Sequence, residues 1–195
     1  LILCETECDT AAVYTQNLVY GAPITVTRNN IADGKAYGVI CNSGIANTCN
    51  ADGVEKAEAM CEIVAKATNL KPTDFVAAST GVIGQPIDIE PIQNGMAQLV
   101  AELSKDGSDN AAQAIMTTDT VKKEFAVSFT LGGKECKIGA ISNFVHPLTP
   151  PAQLVEIMLH TKSKCLMLLD LFAGPFKPIT DKFLTRLDVN KCLKV

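Results

Sequence analysis

Short apolar runs alternate with segments of helical periodicity through the first 141 residues of this chain. Ala36–Cys41 and Phe75–Ala78 have the length and apolar character of strands. Between Gly53 and Thr68, and again over Asp88–Leu103, apolar residues recur at the spacing of one helical face. Strands that are separated by helices favour an α/β fold, so we predict mixed β-sheets layered and packed between helices.

Three further segments are assigned from composition and periodicity. Ala22–Arg28 is rich in β-branched residues, which favours another strand. Ser108 is suited to cap a short helix that follows it. Phe125–Leu131 alternates apolar and polar residues, Gly132-Gly133 provides a turn, and Lys134–Ile141 returns, which predicts a β-hairpin.

Composition changes near residue 142. Residues 1–141 contain 12 of the 13 glycines and carry 10 basic against 17 acidic residues, whereas residues 142–195 contain one glycine and carry 7 basic against 4 acidic residues. We therefore predict an α/β domain over residues 1–141 and a divergent tail over residues 142–195. The chain also begins inside a predicted strand without an initiating Met, so we expect residues upstream of Leu1.

Charge pattern and cysteine usage argue against several classes of partner. Acidic residues (21) outnumber basic ones (17) and no basic run occurs, so we expect no nucleic-acid partner. No apolar run reaches the roughly 18 residues of a membrane span, so we expect no membrane segment. With two histidines and no C-x-x-C pair, we expect no metal site. The eight cysteines are scattered, and we expect most of them to be buried free thiols in a reducing compartment.

Three polar turns follow predicted elements, at positions where α/β proteins commonly build sites. The first is Cys41–Gly53, in which Asn42 and Asn47 are expected to hydrogen-bond to nearby backbone. The second is Ala78–Gly84, in which a hydroxyl residue meets a glycine. The third is Ala114–Thr120, which has three threonines and one carboxylate after a predicted helix.

Thr80 and Gly81 in the second turn are candidates for acyl chemistry. Gly81 permits an unusual backbone conformation and lets a ligand approach its N–H, and the Thr80 hydroxyl is a second donor beside it. Two donors on a rigid turn can stabilise the oxyanion that forms when an acyl group is attacked. For each of the three turns, a purely structural role in ending or capping an element is the alternative interpretation.

Taken in order, the three turns resemble the successive motifs of the ornithine acetyltransferase (glutamate N-acetyltransferase) family. They read Asn-Ser-Gly-x-Ala-Asn from Asn42, Ser-Thr-Gly-Val-Ile-Gly from Ser79, and Ala-Ile-Met-Thr-Thr-Asp-Thr from Ala114. Ala11–Asn17 and Lys123-Glu124 resemble the family's flanking segments. The resemblance therefore covers about residues 1–141 and corresponds to the α-chain half of the family.

The resemblance implies a layered α/β fold and an enzyme that moves an acetyl group from N-acetylornithine to glutamate in arginine biosynthesis. It implies that Thr80 and Gly81 form the oxyanion hole and that Thr117 contacts the amino-acid substrate. Family members cut their own chain before a threonine, which becomes the first residue of a β chain and carries the acetyl group as an ester. The resemblance also implies no cofactor, with acetyl-CoA as an alternative donor. It implies a homo-oligomer of paired chains in the cytoplasm, or in the mitochondrial matrix of a eukaryote.

The sequence departs from the family pattern after Ile141. The Lys-Gly-Ser-Gly-like turn and the Pro-Asn-x-Ala-Thr-Met-Leu motif that holds the nucleophile are absent, which leaves Thr149 as the nearby candidate nucleophile. The tail is a misread or frameshifted sequence, a divergence that removed the chemistry, or a changed setting in which Thr149 still serves. We therefore weigh three functions: the acetyltransferase, an inactive fragment or pseudoenzyme of the same family, and a related self-processing aminopeptidase or amidohydrolase.

Overall fold

A computed structural model describes residues 1–143 of the chain. The described residues form five strands and four α-helices, with one short 3₁₀ turn at Pro72–Asp74 before the third strand. In chain order the elements are β1 (Ile2–Asp9), α1 (Ala22–Asn30), β2 (Lys35–Ile45), α2 (Gly53–Thr68), β3 (Phe75–Val82), α3 (Glu90–Ala101), α4 (Ser108–Ala114), β4 (Lys123–Leu131) and β5 (Lys134–Ser142). Of the predicted tail, the structure describes only Ser142 and Asn143. Thr149 lies outside the described residues, and the boundary at residue 142 stays a prediction.

The described strands form two separate sheets. The first has the order β1-β2-β3, with β1 antiparallel to β2 and β2 parallel to β3. The second is the antiparallel hairpin of β4 and β5, in which Val127 pairs with Ile138 and Phe129 pairs with Cys136. The predicted mixed α/β architecture and the predicted hairpin are therefore both confirmed.

The main core lies between one face of the three-stranded sheet and the helices α1, α2 and α3. The apolar stripe of α2 supplies Met60 and Val64, which are fully buried against Phe75 and Ala77 of β3. Burying a large apolar side chain completely contributes about 1.5–3 kcal/mol. The predicted helix between Gly53 and Thr68 is thus confirmed, and its spacing reflects this packing.

The segment that we expected to be a strand, Ala22–Arg28, is the helix α1. Gly21 precedes the helix in an extended conformation, and Pro23 occupies its first turn, where the missing N–H costs nothing. Ile24 and Val26 are buried. Burial of these side chains outweighs the modest helix penalty of β-branched residues, so the prediction from composition was wrong.

Helix α1 also covers part of the outer edge of β3, which is the side of the strand that does not pair with β2. The buried Thr27 hydroxyl donates to the Ala77 carbonyl oxygen at 2.9 Å and accepts the Ala77 N–H at 3.1 Å. The Asn30 side-chain amide donates to the Phe75 carbonyl oxygen at 2.8 Å. These bonds satisfy backbone groups that no strand pairs on this side of β3 within the described residues.

Replacing Thr27 with valine is expected to destabilise the fold by about 2 kcal/mol, because it keeps the shape and leaves two buried backbone groups of Ala77 unsatisfied. The measurement is the urea midpoint by circular dichroism. Thr27→Ser keeps the hydroxyl and is expected to stay within about 1 kcal/mol of the parent chain. Equal losses in the two variants would show that the hydroxyl contributes nothing.

The described cysteines are less buried than we expected. Cys8 and Cys61 are buried, three others are half-buried, and Cys49 is exposed. Burial raises the pKa of the Cys61 thiol to about 12, even though the Asn30 amide beside it acts in the opposite direction. Cys61 therefore behaves as a small apolar residue of the core rather than as a reactive thiol.

This contrast predicts selective labelling of the native protein at pH 8. Iodoacetamide is expected to modify Cys49 and to leave Cys61 intact, because Cys49 is exposed, whereas Cys61 is buried and its pKa is raised. Peptide mass mapping before and after unfolding in urea measures both sites. Rapid modification of Cys61 in the folded chain would contradict its place in the core.

Helix α4 is attached to the hairpin by charged side chains. Gly107, without a side-chain cap, precedes the helix, so the predicted capping role of Ser108 is wrong. The Ser108 hydroxyl and the Lys122 ammonium instead hold the pKa of Glu124 below its usual range. Lys122 also pairs with Asp109.

Among the helices of residues 1–143, none is long and apolar enough to cross a membrane.

Candidate active site

The first two polar motifs lie side by side on neighbouring parallel strands. Residues 42, 43 and 44 of β2 are in register with residues 79, 80 and 81 of β3. Both strands continue through their motifs, to Ile45 and Val82, so the segments that we predicted as turns are the carboxyl ends of strands. The carboxyl edge of a parallel pair is where α/β proteins usually bind ligands.

Gly44 and Gly81 meet at this edge in a contact that leaves no room for a side chain at position 81. Their φ angles are +122° and +130°, a region that L residues rarely adopt. A Cβ atom on Gly81 would lie 2.1 Å from the carbonyl oxygen of Gly44. Glycine at position 81 is therefore required by the close approach of the two backbones.

From the alternation of backbone groups along β3, we infer that the Gly81 N–H points towards the edge of β3 that β2 does not occupy. The carbonyl groups of Phe75 and Ala77 point outward, since they accept hydrogen bonds from α1. The carbonyl group of Val82 points inward and accepts the Ala46 N–H at 2.9 Å. Because backbone groups alternate along a strand, position 81 faces outward like 75 and 77. Helix α1 covers the edge at 75 and 77, and its bonds do not extend to 81.

The third motif is joined to the first. The Ser43 hydroxyl donates to the Met116 carbonyl oxygen at 3.1 Å. Ser43 and Thr80 are register partners in a parallel pair, so their side chains project from the same face of the sheet. The turn that contains Met116 and Thr117 consequently lies on the Thr80 face.

The described chain ends beside this turn. The Asn143 side-chain amide, directly after β5, donates to the Ile115 carbonyl oxygen. Residues from β2, from the turn after α4 and from the end of the hairpin are thereby linked at one place. Asn143, the last described residue, therefore lies beside the turn that carries the third motif.

Thr117 is held by a buried carboxylate. Its N–H donates to Asp119 Oδ2 at 3.3 Å, and Asp119 Oδ1 forms an ion pair with Lys123. The Asp119 side chain is 3% exposed and that of Lys123 is 23% exposed. Thr117 itself is half-buried.

The amides of the first motif hydrogen-bond to nearby backbone, as predicted. Asn42 donates to the Ile45 carbonyl oxygen and Asn47 to the Gly53 carbonyl oxygen, both at 2.8 Å. Asn47 adopts a left-handed conformation with a φ of 52°. These side chains therefore hold the local backbone in its conformation.

Two thiol or hydroxyl groups next to the motifs are poor nucleophiles. Burial raises the pKa of the Cys41 thiol to about 11, so this group stays protonated at neutral pH. The Ser79 hydroxyl is buried, on the face opposite Thr80, and has no hydrogen-bond partner among the described residues. Within residues 1–143, no group of three or more His, Cys, Asp or Glu side chains could hold a metal ion.

Sequence reasoning singled out Thr80, Gly81 and Thr117, and the structure gathers the segments that carry them. Thr149 lies outside the described residues. Asp119, Lys123 and Asn143 were not singled out as site residues, since their contacts join positions that only the fold brings together. The one sequence signal for Asp119 was a lone carboxylate among threonines in the third motif.

Two parallel strands whose carboxyl ends bring hydroxyl side chains and a close-packed glycine together define an α/β protein with a candidate acyl-transfer site. The ArgJ family matches this chain over residues 1–146. The chain belongs to the ArgJ family, which confirms the resemblance drawn from the three motifs.

Curated relatives carry the name arginine biosynthesis bifunctional protein ArgJ. The protein of Symbiobacterium thermophilum is 39% identical over 151 residues, which are 75% of this chain and 38% of the relative. The protein of Gloeobacter violaceus is 36% identical over 195 residues, which cover 97% of this chain and 47% of the relative. This chain thus spans less than half of the length of either relative.

Solved structures share the fold. The ArgJ protein from Bacillus halodurans has a TM-score of 0.68 at 34% identity, and the match covers 76% of this chain and 78% of that chain. Ornithine acetyltransferase from Mycobacterium tuberculosis, solved in complex with ornithine, has a TM-score of 0.61 at 28% identity and covers 76% and 77%. These matches confirm the predicted fold class.

Proposed function

We propose that this chain is part of an enzyme that transfers acetyl groups from N-acetylornithine to glutamate through a threonine acyl-enzyme. The observation that carries the proposal is the parallel register that sets Ser43-Gly44 beside Thr80-Gly81, with Met116-Thr117 bonded to the same edge. Membership in a family whose curated members are named for arginine biosynthesis supports the pathway.

Thr80 and Gly81 would act on the carbonyl oxygen of the acetyl group. A threonine hydroxyl attacks the acetyl carbon of N-acetylornithine, the carbonyl oxygen becomes an oxyanion, and the amine of ornithine leaves with a proton. The amine of glutamate then attacks the resulting ester and releases the threonine hydroxyl. In each half-reaction the Gly81 N–H and the Thr80 hydroxyl donate to the oxyanion, where such donors lower the barrier.

Thr149 is the proposed nucleophile. It lies six residues after Asn143, so an extended chain from the Ile115–Asn143 bond reaches at most about 20 Å. That reach includes the edge at which the motifs meet.

Thr117 is the proposed contact for the amino-acid part of the substrate. It is half-buried on the Thr80 face, and a neutral hydroxyl suits hydrogen bonding to an amine or carboxylate. The complex of the Mycobacterium tuberculosis relative with ornithine supports an amino acid as the ligand. A second chain produced by cleavage would complete the site.

Denaturing electrophoresis of the freshly purified chain, with sequencing of any new amino terminus, tests the proposal. We expect a break directly before Thr149 and transfer of acetyl groups from N-acetylornithine to glutamate. The Thr149→Ala variant is expected to stay intact and inactive. A parent chain that stays uncut and transfers no acetyl group would instead identify a family member without a nucleophile. Release of acetate to water in place of transfer would identify an amidohydrolase.

A further inference from the structure

The turn Ile115–Asp119 is fixed by side chains from several parts of the fold. Ser43 of β2 donates to the Met116 carbonyl oxygen, and Asn143 after β5 donates to the Ile115 carbonyl oxygen. These two bonds hold the first half of the turn by its carbonyl groups. Neither of them reaches the residue that we assign to the substrate, Thr117.

Asp119 fixes that residue. Its Oδ2 accepts the Thr117 N–H at 3.3 Å, while its Oδ1 pairs with the Lys123 ammonium at the start of β4. The carboxylate is almost fully buried, at 3% exposure, so the pair is shielded from solvent and holds its orientation better than an exposed pair. One carboxylate thus connects the Thr117 backbone to the hairpin.

From this arrangement we infer that Asp119 and Lys123 are positioning residues for Thr117, and through it for the amino-acid substrate. This inference rests on the proposed function, since it assigns Thr117 to substrate binding. Binding groups need support from neighbouring hydrogen bonds to stay within about 0.5 Å of their productive geometry. A displacement of about 1 Å at such a group can cost up to 10²-fold. The buried pair supplies this support from a rigid strand.

Calorimetric titration of the full chain with ornithine tests the inference. Asp119→Ala removes both contacts and is expected to weaken ornithine binding by about tenfold or more. Asp119→Asn keeps an oxygen acceptor for the Thr117 N–H and is expected to recover part of the affinity. Lys123→Met removes the cation that orients the carboxylate and is expected to fall between the parent chain and Asp119→Ala.

The control breaks another Asp–Lys pair. Asp9 contacts Lys35 at 2.5 Å at the other end of β2, on the surface, and Asp9→Ala is expected to leave ornithine binding unchanged. Parent-like affinity in folded Asp119→Ala, with or without a lower melting temperature, would overturn the positioning role and leave the proposed function standing. If the parent chain itself binds no ornithine, the proposed function fails and the inference falls with it.

Discussion

Replacing Gly81 with alanine is expected to destabilise the protein by about 4 kcal/mol, among the largest effects of a single substitution. A non-glycine residue at a φ of +130° costs about 1–3 kcal/mol by itself. The added Cβ would also lie 2.1 Å from the Gly44 carbonyl oxygen, and this backbone atom cannot move without disturbing β2. Urea unfolding followed by circular dichroism measures the loss.

Gly84→Ala separates the two causes. Gly84 also has a positive φ, +78°, but a Cβ there meets no atom within 4 Å. We expect this control to lose about 1 kcal/mol, which is the conformational part alone. Similar losses in the two variants would mean that β2 and β3 do not approach each other closely at the glycines.

Replacing Thr80 with valine is expected to lower the rate of acetyl transfer by about 10²–10³-fold. Valine keeps the shape of the side chain and removes one of the two donors assigned to the oxyanion. Thr80 is half-buried at the end of β3, so the fold is expected to tolerate the change. Initial rates of ornithine release from N-acetylornithine, with glutamate as the acceptor, measure the effect.

Thr80→Ser is the matched control for this variant. It keeps the hydroxyl, so we expect a rate within about tenfold of the parent chain. An unchanged rate in Thr80→Val, with the protein folded and active, would remove the hydroxyl from the mechanism. The Gly81 N–H would then be the remaining donor of this pair.

Local periodicity predicted most elements of the fold. The helical stripe between Gly53 and Thr68 and the alternation in Phe125–Leu131 each reflect burial on one side of their own element. Helix α1 was missed because packing against β3, fifty residues further along the chain, determines the helical conformation of its β-branched residues. The secondary-structure propensity of Ala22–Arg28 contains no information about that contact.

Only the residues of the candidate site that lie within the short sequence motifs were predictable. Thr80 and Gly81 drew attention as a hydroxyl residue next to a glycine after a predicted strand. The role of Thr117 came only from the resemblance of the three motifs to the ornithine acetyltransferase family. The continuation of β2 and β3 through the motifs was missed, since polar residues suggested turns. Their strand geometry depends on the pairing of Gly44 with Gly81. These residues are far apart in the sequence, so the local pattern does not indicate the pairing.

The support around Thr117 was not predictable. Asp119 lies two residues from Thr117 and gave only a weak signal, and Lys123 was noted only as a flank of the motif. Their ion pair exists because β4 begins beside the turn after α4. Contacts of this kind follow from the arrangement of elements in the fold.

The location of the amino-acid site can be tested without relying on the nucleophile. The ¹⁵N-labelled chain is titrated with ornithine and followed by two-dimensional amide spectra. We expect the largest shift changes at the ends of β2 and β3 and in the turn around Thr117, with the Gly81 amide among them. Changes confined to α3 or to the far end of the hairpin would contradict a site at the edge where Thr80, Gly81 and Thr117 meet.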